Sequence, residues 1–155
     1  MRTKLKFMIS KTALITGATS GIGEACATLF AQQGYQLILI GRREERLGNL
    51  AAALKKEYAV NVMPLVLDVR EKESLSKGLE ALSAEWKKVD VLINNAGLSQ
   101  GLDPIDKGNT DDWDTMIDTN VKGLLYMSKI VSNWMISHGS GHIINIGSIA
   151  GREVY

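Results

Sequence analysis

Ala13-Leu14-Ile15-Thr16-Gly17-Ala18-Thr19-Ser20-Gly21-Ile22-Gly23-Glu24-Ala25 carries an apolar run through a glycine cluster into a helical pattern. A buried strand followed at once by a tight turn and a helix N-terminus is a natural anion cradle. The free N–H groups and the positive end of the helix dipole converge on the turn. Glycine lets the backbone approach a pyrophosphate closely and adopt angles that a side chain forbids. A dinucleotide is the ligand such a turn suits. The glycines stand at 17, 21 and 23, giving G-x-x-x-G-x-G rather than G-x-G-x-x-G. Nor is this a phosphate-binding loop of the Gly-Lys-Ser/Thr type, because Ile22-Gly23-Glu24 has no lysine. Taken alone, the cluster also fits an ordinary strand–helix turn, so the rest of the chain decides.

The 155 residues suit one domain, 1–155, with 45% apolar and 23% charged residues, as expected of a globular protein. A formal net charge of +1 gives no reason to expect nucleic acid or an acidic membrane as partner. Cys26 is the single cysteine, which excludes an internal disulfide or a cysteine zinc site. On the first helix it suits packing better than nucleophilic chemistry. His138 and His142 flank a Gly-Ser-Gly turn without a carboxylate at ligand spacing and read as solvent-facing loop residues, so no metal is expected. No apolar run approaches the roughly 18 residues of a membrane helix. Met1–Ser10 is basic but lacks a long apolar core and a small-residue cleavage site, so a cytoplasmic protein is expected.

Beyond the first strand (Lys11–Thr16) and helix (Gly21 to about Gln33, stopped by Gly34), strands and helices alternate. Tyr35–Ile40 is a second strand, and Arg43–Tyr58 an amphipathic helix with Leu47, Leu50, Ala51 and Leu54 on one face. Val60–Leu67 is a third strand, where Pro64 argues against a central position. Glu71–Lys87 is a helix, Val89–Ile93 a strand, Thr110–Ser137 a long helical region and Gly141–Ile146 a fifth strand. The strands are continuous apolar runs, the mark of a parallel sheet covered on both faces. The predicted architecture is α/β, a doubly wound parallel sheet in the order 3-2-1-4-5. In such a sheet ligands bind beyond the carboxyl ends of the strands.

Each of those ends carries polar residues. Strand one ends in the glycine turn, with Thr19 and Ser20 as hydroxyl donors. Strand two ends in Gly41-Arg42-Arg43, where an acid would favour a bare ribose 2′-hydroxyl and arginine accommodates a 2′-phosphate. Two adjacent guanidinium forks therefore favour NADP over NAD. Strand three ends in Asp68-Val69; this carboxylate suits either an adenine amino group or the N-cap of the following helix. Strand four ends in Asn94-Asn95-Ala96-Gly97, either a polar turn or a close approach to a flat ligand. Strand five ends in Gly147-Ser148, a turn serine or a hydroxyl at the rim. Asn120, among Ile117, Val121, Leu124 and Leu125, reads as a half-buried amide that stabilises a helix irregularity or holds something in the site.

Together these motifs resemble the short-chain dehydrogenase/reductase family. Thr16-Gly17-x-x-x-Gly21-Ile22-Gly23, Asp68-Val69, Asn94-Asn95-Ala96-Gly97, Asn120 and Ile144-Asn145-Ile146-Gly147-Ser148 follow its order and spacing from Lys11 onward. The resemblance implies a Rossmann-like fold binding NADP, with Gly17, Ala18, Thr19, Ser20, Gly21 and Ile22 at the pyrophosphate. It implies Arg42 and Arg43 at the 2′-phosphate, Asp68 and Val69 framing the adenine, and Asn95 lining the cofactor cleft. Ser148 would orient a substrate carbonyl, and Asn120 would hold a water in a proton relay. It also implies a homo-oligomer, dimer or tetramer, in which the region Thr110–Ser137 packs on a neighbour. Gly41–Leu47, Asp112–Asn120 and His142–Ser148 further resemble NADP-dependent 3-hydroxy acid dehydrogenases, which implies a small polar alcohol or carbonyl substrate.

One departure stands out. The family's Tyr-x-x-x-Lys pair lies roughly a dozen residues after the serine, whereas Tyr155 is seven positions past Ser148 with no lysine following. Tyr155 is therefore not assigned as the acid/base, and the expectation is a cofactor-binding part of a longer enzyme, inactive by itself. A non-catalytic NADP(H)-binding protein and a reductase of keto-acyl or sugar substrates are the alternatives.

Overall fold

The computed structural model describes residues 11–153; Met1–Ser10 and Tyr155, each given a reading above, lie outside the described residues. Five strands form one parallel sheet in the order β3-β2-β1-β4-β5, as expected. They are β1 (Thr12–Thr16), β2 (Gln36–Gly41), β3 (Val62–Val66), β4 (Val91–Asn94) and β5 (His142–Asn145). Between them run α1 (Gly21–Gln32), α2 (Glu44–Tyr58), α3 (Lys72–Glu80), α4 (Thr110–Ile117) and α5 (Leu124–His138). Pro64 opposes Leu39 in β3, at the edge of this sheet, where a missing N–H is tolerated.

The strands' period of two divides their side chains between two cores. Ala13, Ile15, Leu37, Leu39 and Ile93 pack against Ala27, Ala31, Leu47, Ala51 and Leu54 of α1 and α2. On the other face Leu14, Ile38, Ile40 and Leu92 pack against Leu75, Leu79, Met127, Val131 and Met135 of α3 and α5. Each fully buried Leu or Ile contributes about 1.5–3 kcal/mol, so both faces are needed to hold the sheet. Cys26 packs partly buried against the first core, as its helical position suggests. No described helix is long and apolar enough to cross a membrane.

Two helical regions differ from expectation. Glu71–Lys87 is helical only over Lys72–Glu80, because the Lys87 ammonium takes the Glu80 carbonyl at 2.7 Å and Leu82 N–H closes a tighter turn onto Leu79. Thr110–Ser137 is not one regular helix either. Asp118–Gly123 widens into a π-helical turn between α4 and α5. Gly123 closes that turn against the loop after β3, where a Cβ would stand 2.7 Å from Val69 Cγ2. His138 and His142 are solvent-facing, at the end of α5 and the start of β5.

Candidate active site

The strand order reverses between β1 and β4, and the loops after β1 to β4 enclose a cavity of about 440 Å³ there. Its floor is the glycine turn. Gly17 has φ +66°, and a Cβ on it would lie 2.9 Å from Ala96 Cα. A Cβ on Gly23 would collide with the Gly17 carbonyl. Side chains are excluded at both positions by the β4 loop and by the turn itself.

Thr16 and Asn95 fix that loop against the turn. The buried Thr16 hydroxyl accepts the backbone N–H groups of Asn95 and Ala96, both at 3.0 Å. Asn95 Nδ2 donates back to the carbonyls of Thr16 at 3.0 Å and Gly17 at 3.2 Å. Asn95 thus lines the cavity, and its amide braces the turn. Thr16→Val keeps the shape but leaves two N–H groups without their acceptor, each worth about 1–3 kcal/mol. Urea unfolding is expected to show a loss of about 2–4 kcal/mol for Thr16→Val and under about 1 kcal/mol for Thr16→Ser.

The rim is charged. Arg43 donates from Nε and Nη2 to Thr19 Oγ1, at 3.0 and 2.7 Å, and from Nη2 to Ser20 Oγ at 2.7 Å. Ser20 sits at the N-cap of α1 without a side-chain capping bond, so the first-turn N–H groups carry no side-chain cap. Asp68 is not the N-cap of α3: that position is Glu71, and the carboxylate instead accepts from its own Arg70 backbone N–H at 3.0 Å. Arg70 also grips both Asp68 oxygens through Nε and Nη2, at 2.7–3.1 Å, while Arg42 Nη1 stands 3.6 Å away. Partial burial pushes the Asp68 pKa up. The hydrogen bonds of Arg70 and the charges of both arginines outweigh it and hold the carboxyl below its ordinary range.

Of the residues singled out in the sequence, Gly17, Thr19, Ser20, Ile22, Arg42, Arg43, Asp68, Val69 and Asn95 all line this cavity. Ala18 turns into the core, and its N–H is already bonded to the Ile40 carbonyl at 3.2 Å. Gly21 opens α1 at φ +57° with open space around it. Asn120 is exposed rather than half-buried. Within the π-helical turn its amide pairs with the Leu98 backbone, accepting from N–H at 2.9 Å and donating to C=O at 2.7 Å. The irregularity thus turns Asn120 toward the β4 loop instead of the helix interior. Ser148 is exposed and caps a short 3₁₀ turn, its Oγ accepting the Ala150 N–H at 3.2 Å. Neither Asn120 nor Ser148 lines the cavity. Among the described residues no cluster of His, Cys, Asp or Glu could hold a metal ion.

A family model described as short chain dehydrogenase matches residues 11–155. The chain belongs to the short-chain dehydrogenase family. It is 49% identical over 142 residues to the NADP-dependent 3-hydroxy acid dehydrogenase YdfG of Salmonella typhi, covering 92% of this chain and 56% of that protein. It is 45% identical over 148 residues to sulfoacetaldehyde reductase 2 of Chromohalobacter salexigens, covering 95% and 58%. Among solved structures, the closed form of serine dehydrogenase complexed with NADP+ matches with a TM-score of 0.85 and 47% identity, over 93% of this chain and 56% of that one. The chain therefore spans a little over half the length of these relatives.

Within this short-chain dehydrogenase fold, three residues make contacts that their places in the sequence do not announce. Thr16 opens the glycine motif, but the partners of its hydroxyl are not legible there, and Arg70 simply follows Asp68-Val69. Asn94 is the third, its Nδ2 donating to Ser128 Oγ and Asn145 Oδ1, both at 2.9 Å, which ties β4 to α5 and β5. For all three the partner is distant in sequence or lies on a loop whose shape no periodicity describes.

Proposed function

We propose that the protein is an NADP-dependent oxidoreductase that interconverts a small polar alcohol, of the 3-hydroxy acid class, and its carbonyl. The observation that carries the reading is the placement of Arg42 and Arg43 on the wall of the same cavity as the glycine turn. A dinucleotide fits what the cavity offers. Gly17 and Gly23 leave room for close approach, α1 presents uncapped N–H groups, and the arginine forks suit a 2′-phosphate. When bound, the nicotinamide supplies or accepts a hydride.

The chain's own residues then bind and orient. Gly17, Thr19, Ser20 and Ile22 would cradle the pyrophosphate, while Asp68 and Val69 would flank the adenine. Asn95 would keep the turn open. Asn120 would fix the Leu98 backbone and position a water, and Ser148 would present a hydroxyl to the substrate oxygen. General acid–base work is assigned to a Tyr-x-x-x-Lys pair beyond residue 155, in which the lysine lowers the tyrosine pKa. Residues 1–155 would then form one NADP-binding domain of a longer cytoplasmic enzyme. The exposed Ile117, Val121 and Leu125, spaced four apart along the α4–α5 region, support a homo-oligomer.

The likeness to a sulfoacetaldehyde reductase favours, as second reading, an aldehyde lacking the carboxylate of a hydroxy acid. Initial rates of the full protein with NADP and a panel of 3-hydroxy acids, and with NADPH and short aldehydes, separate the two. The present chain should bind NADPH without turnover. A full-length protein that binds NADPH yet turns over no alcohol or carbonyl would establish a non-catalytic binding role instead.

A further inference from the structure

Arg70 lies outside the cavity wall, yet it holds one of the wall's charges. A carboxylate has about four lone-pair sites. At Asp68, Oδ1 accepts Arg70 N–H at 3.0 Å and Nε at 3.1 Å, and Oδ2 accepts Nε at 3.0 Å and Nη2 at 2.7 Å. The second arginine within ion-pair reach, Arg42, stands off at 3.6 Å with its side chain 59% exposed. The two arginines thus divide unequally. Arg70 fills the carboxylate's hydrogen-bonding sites, and Arg42, which also lines the cavity, makes only the longer ion pair with it.

From this geometry we infer that Arg70 is a positioning residue that sets the preference for a phosphorylated ribose by keeping the Asp68–Arg42 pair long and without a hydrogen bond. The inference rests on the NADP reading above. Without Arg70, Asp68 becomes an uncompensated anion at the cavity wall whose remaining ion-pair partner among the described residues is Arg42. Arg42 would close on it, withdrawing a guanidinium from the 2′-phosphate and leaving a negative charge beside that phosphate. NAD has a hydroxyl there and feels neither effect.

The test is fluorescence titration of NADPH and NADH onto the full protein and its variants. Arg70→Met is expected to raise the Kd for NADPH about tenfold and that for NADH less than about twofold, the scale of one charge-assisted contact. Adding Asp68→Asn removes the competitor and is expected to bring the NADPH-to-NADH preference back to within about threefold of wild type, while any loss at the adenine weakens both cofactors alike. Arg70→Lys, which keeps the charge without the fork, should fall between, and it carries the comparison if Arg70→Met does not fold. An unchanged NADPH-to-NADH ratio in the Arg70 variants would overturn the inference, as would failure of Asp68→Asn to restore that ratio. A wild-type protein without preference for NADPH would defeat the cofactor reading itself, which is a separate result.

Discussion

Gly17→Ala is expected to destabilise the fold by about 2–5 kcal/mol and to abolish measurable NADPH binding. The left-handed φ of +66° costs a residue with a Cβ about 1–2 kcal/mol. Overpacking against Ala96 Cα and Asn95 Nδ2, both 2.9 Å from the added carbon, brings about 1–3 kcal/mol more. The β4 loop can relieve the clash only by moving away, which breaks the bonds from Asn95 to Thr16 and Gly17 that shape the turn. Gly34 is the control. Its φ of +79° is as unfavourable for alanine, but nothing lies within 4 Å of an added Cβ. Gly34→Ala should therefore cost about 1–2 kcal/mol in urea and leave NADPH binding intact. Equal binding losses in the two variants would show that the glycine turn is structural only.

The second large effect belongs to the rim. Arg42→Ala combined with Arg43→Ala should raise the Kd for NADPH about 100-fold or more, at roughly 1.5–3 kcal/mol for each charged hydrogen bond lost. NADH binding should weaken far less. It will not be wholly spared, because Arg43 also holds the Thr19 and Ser20 hydroxyls of the glycine turn. The single variants distinguish these roles: Arg42→Ala should act on NADPH alone, Arg43→Ala on both with NADPH the more affected. Equal losses for both cofactors in the double variant would defeat the 2′-phosphate assignment.

The sheet and its order were legible because parallel strands buried on both faces leave apolar runs, and crossovers have one hand. The cavity residues were legible because they sit immediately after those runs. What sequence could not show was partnership. Asp68 looked equally suited to capping α3, and only the fold reveals that Arg70 occupies its oxygens. Asn120 was surrounded by apolar neighbours in sequence, yet Ile117, Val121 and Leu125 around it are themselves exposed. Periodicity assumed a buried face that the described chain does not bury. The π-helical turn left no mark on the apolar repeat itself; only Asn120 pointed to it, as a polar residue read either as stabilising a helix irregularity or as serving the site. Ala18 shows the converse: it lies inside the glycine motif, but its side chain serves the core.

The most direct test of the central claim is a side-by-side titration of NADPH and NADH onto residues 1–155 at fixed ionic strength. Saturable binding of both with NADPH at least about tenfold tighter is expected, since the Arg42 and Arg43 guanidinium groups on the cavity wall suit a 2′-phosphate that NADH lacks. Equal affinities, or no saturable binding of either, would contradict it.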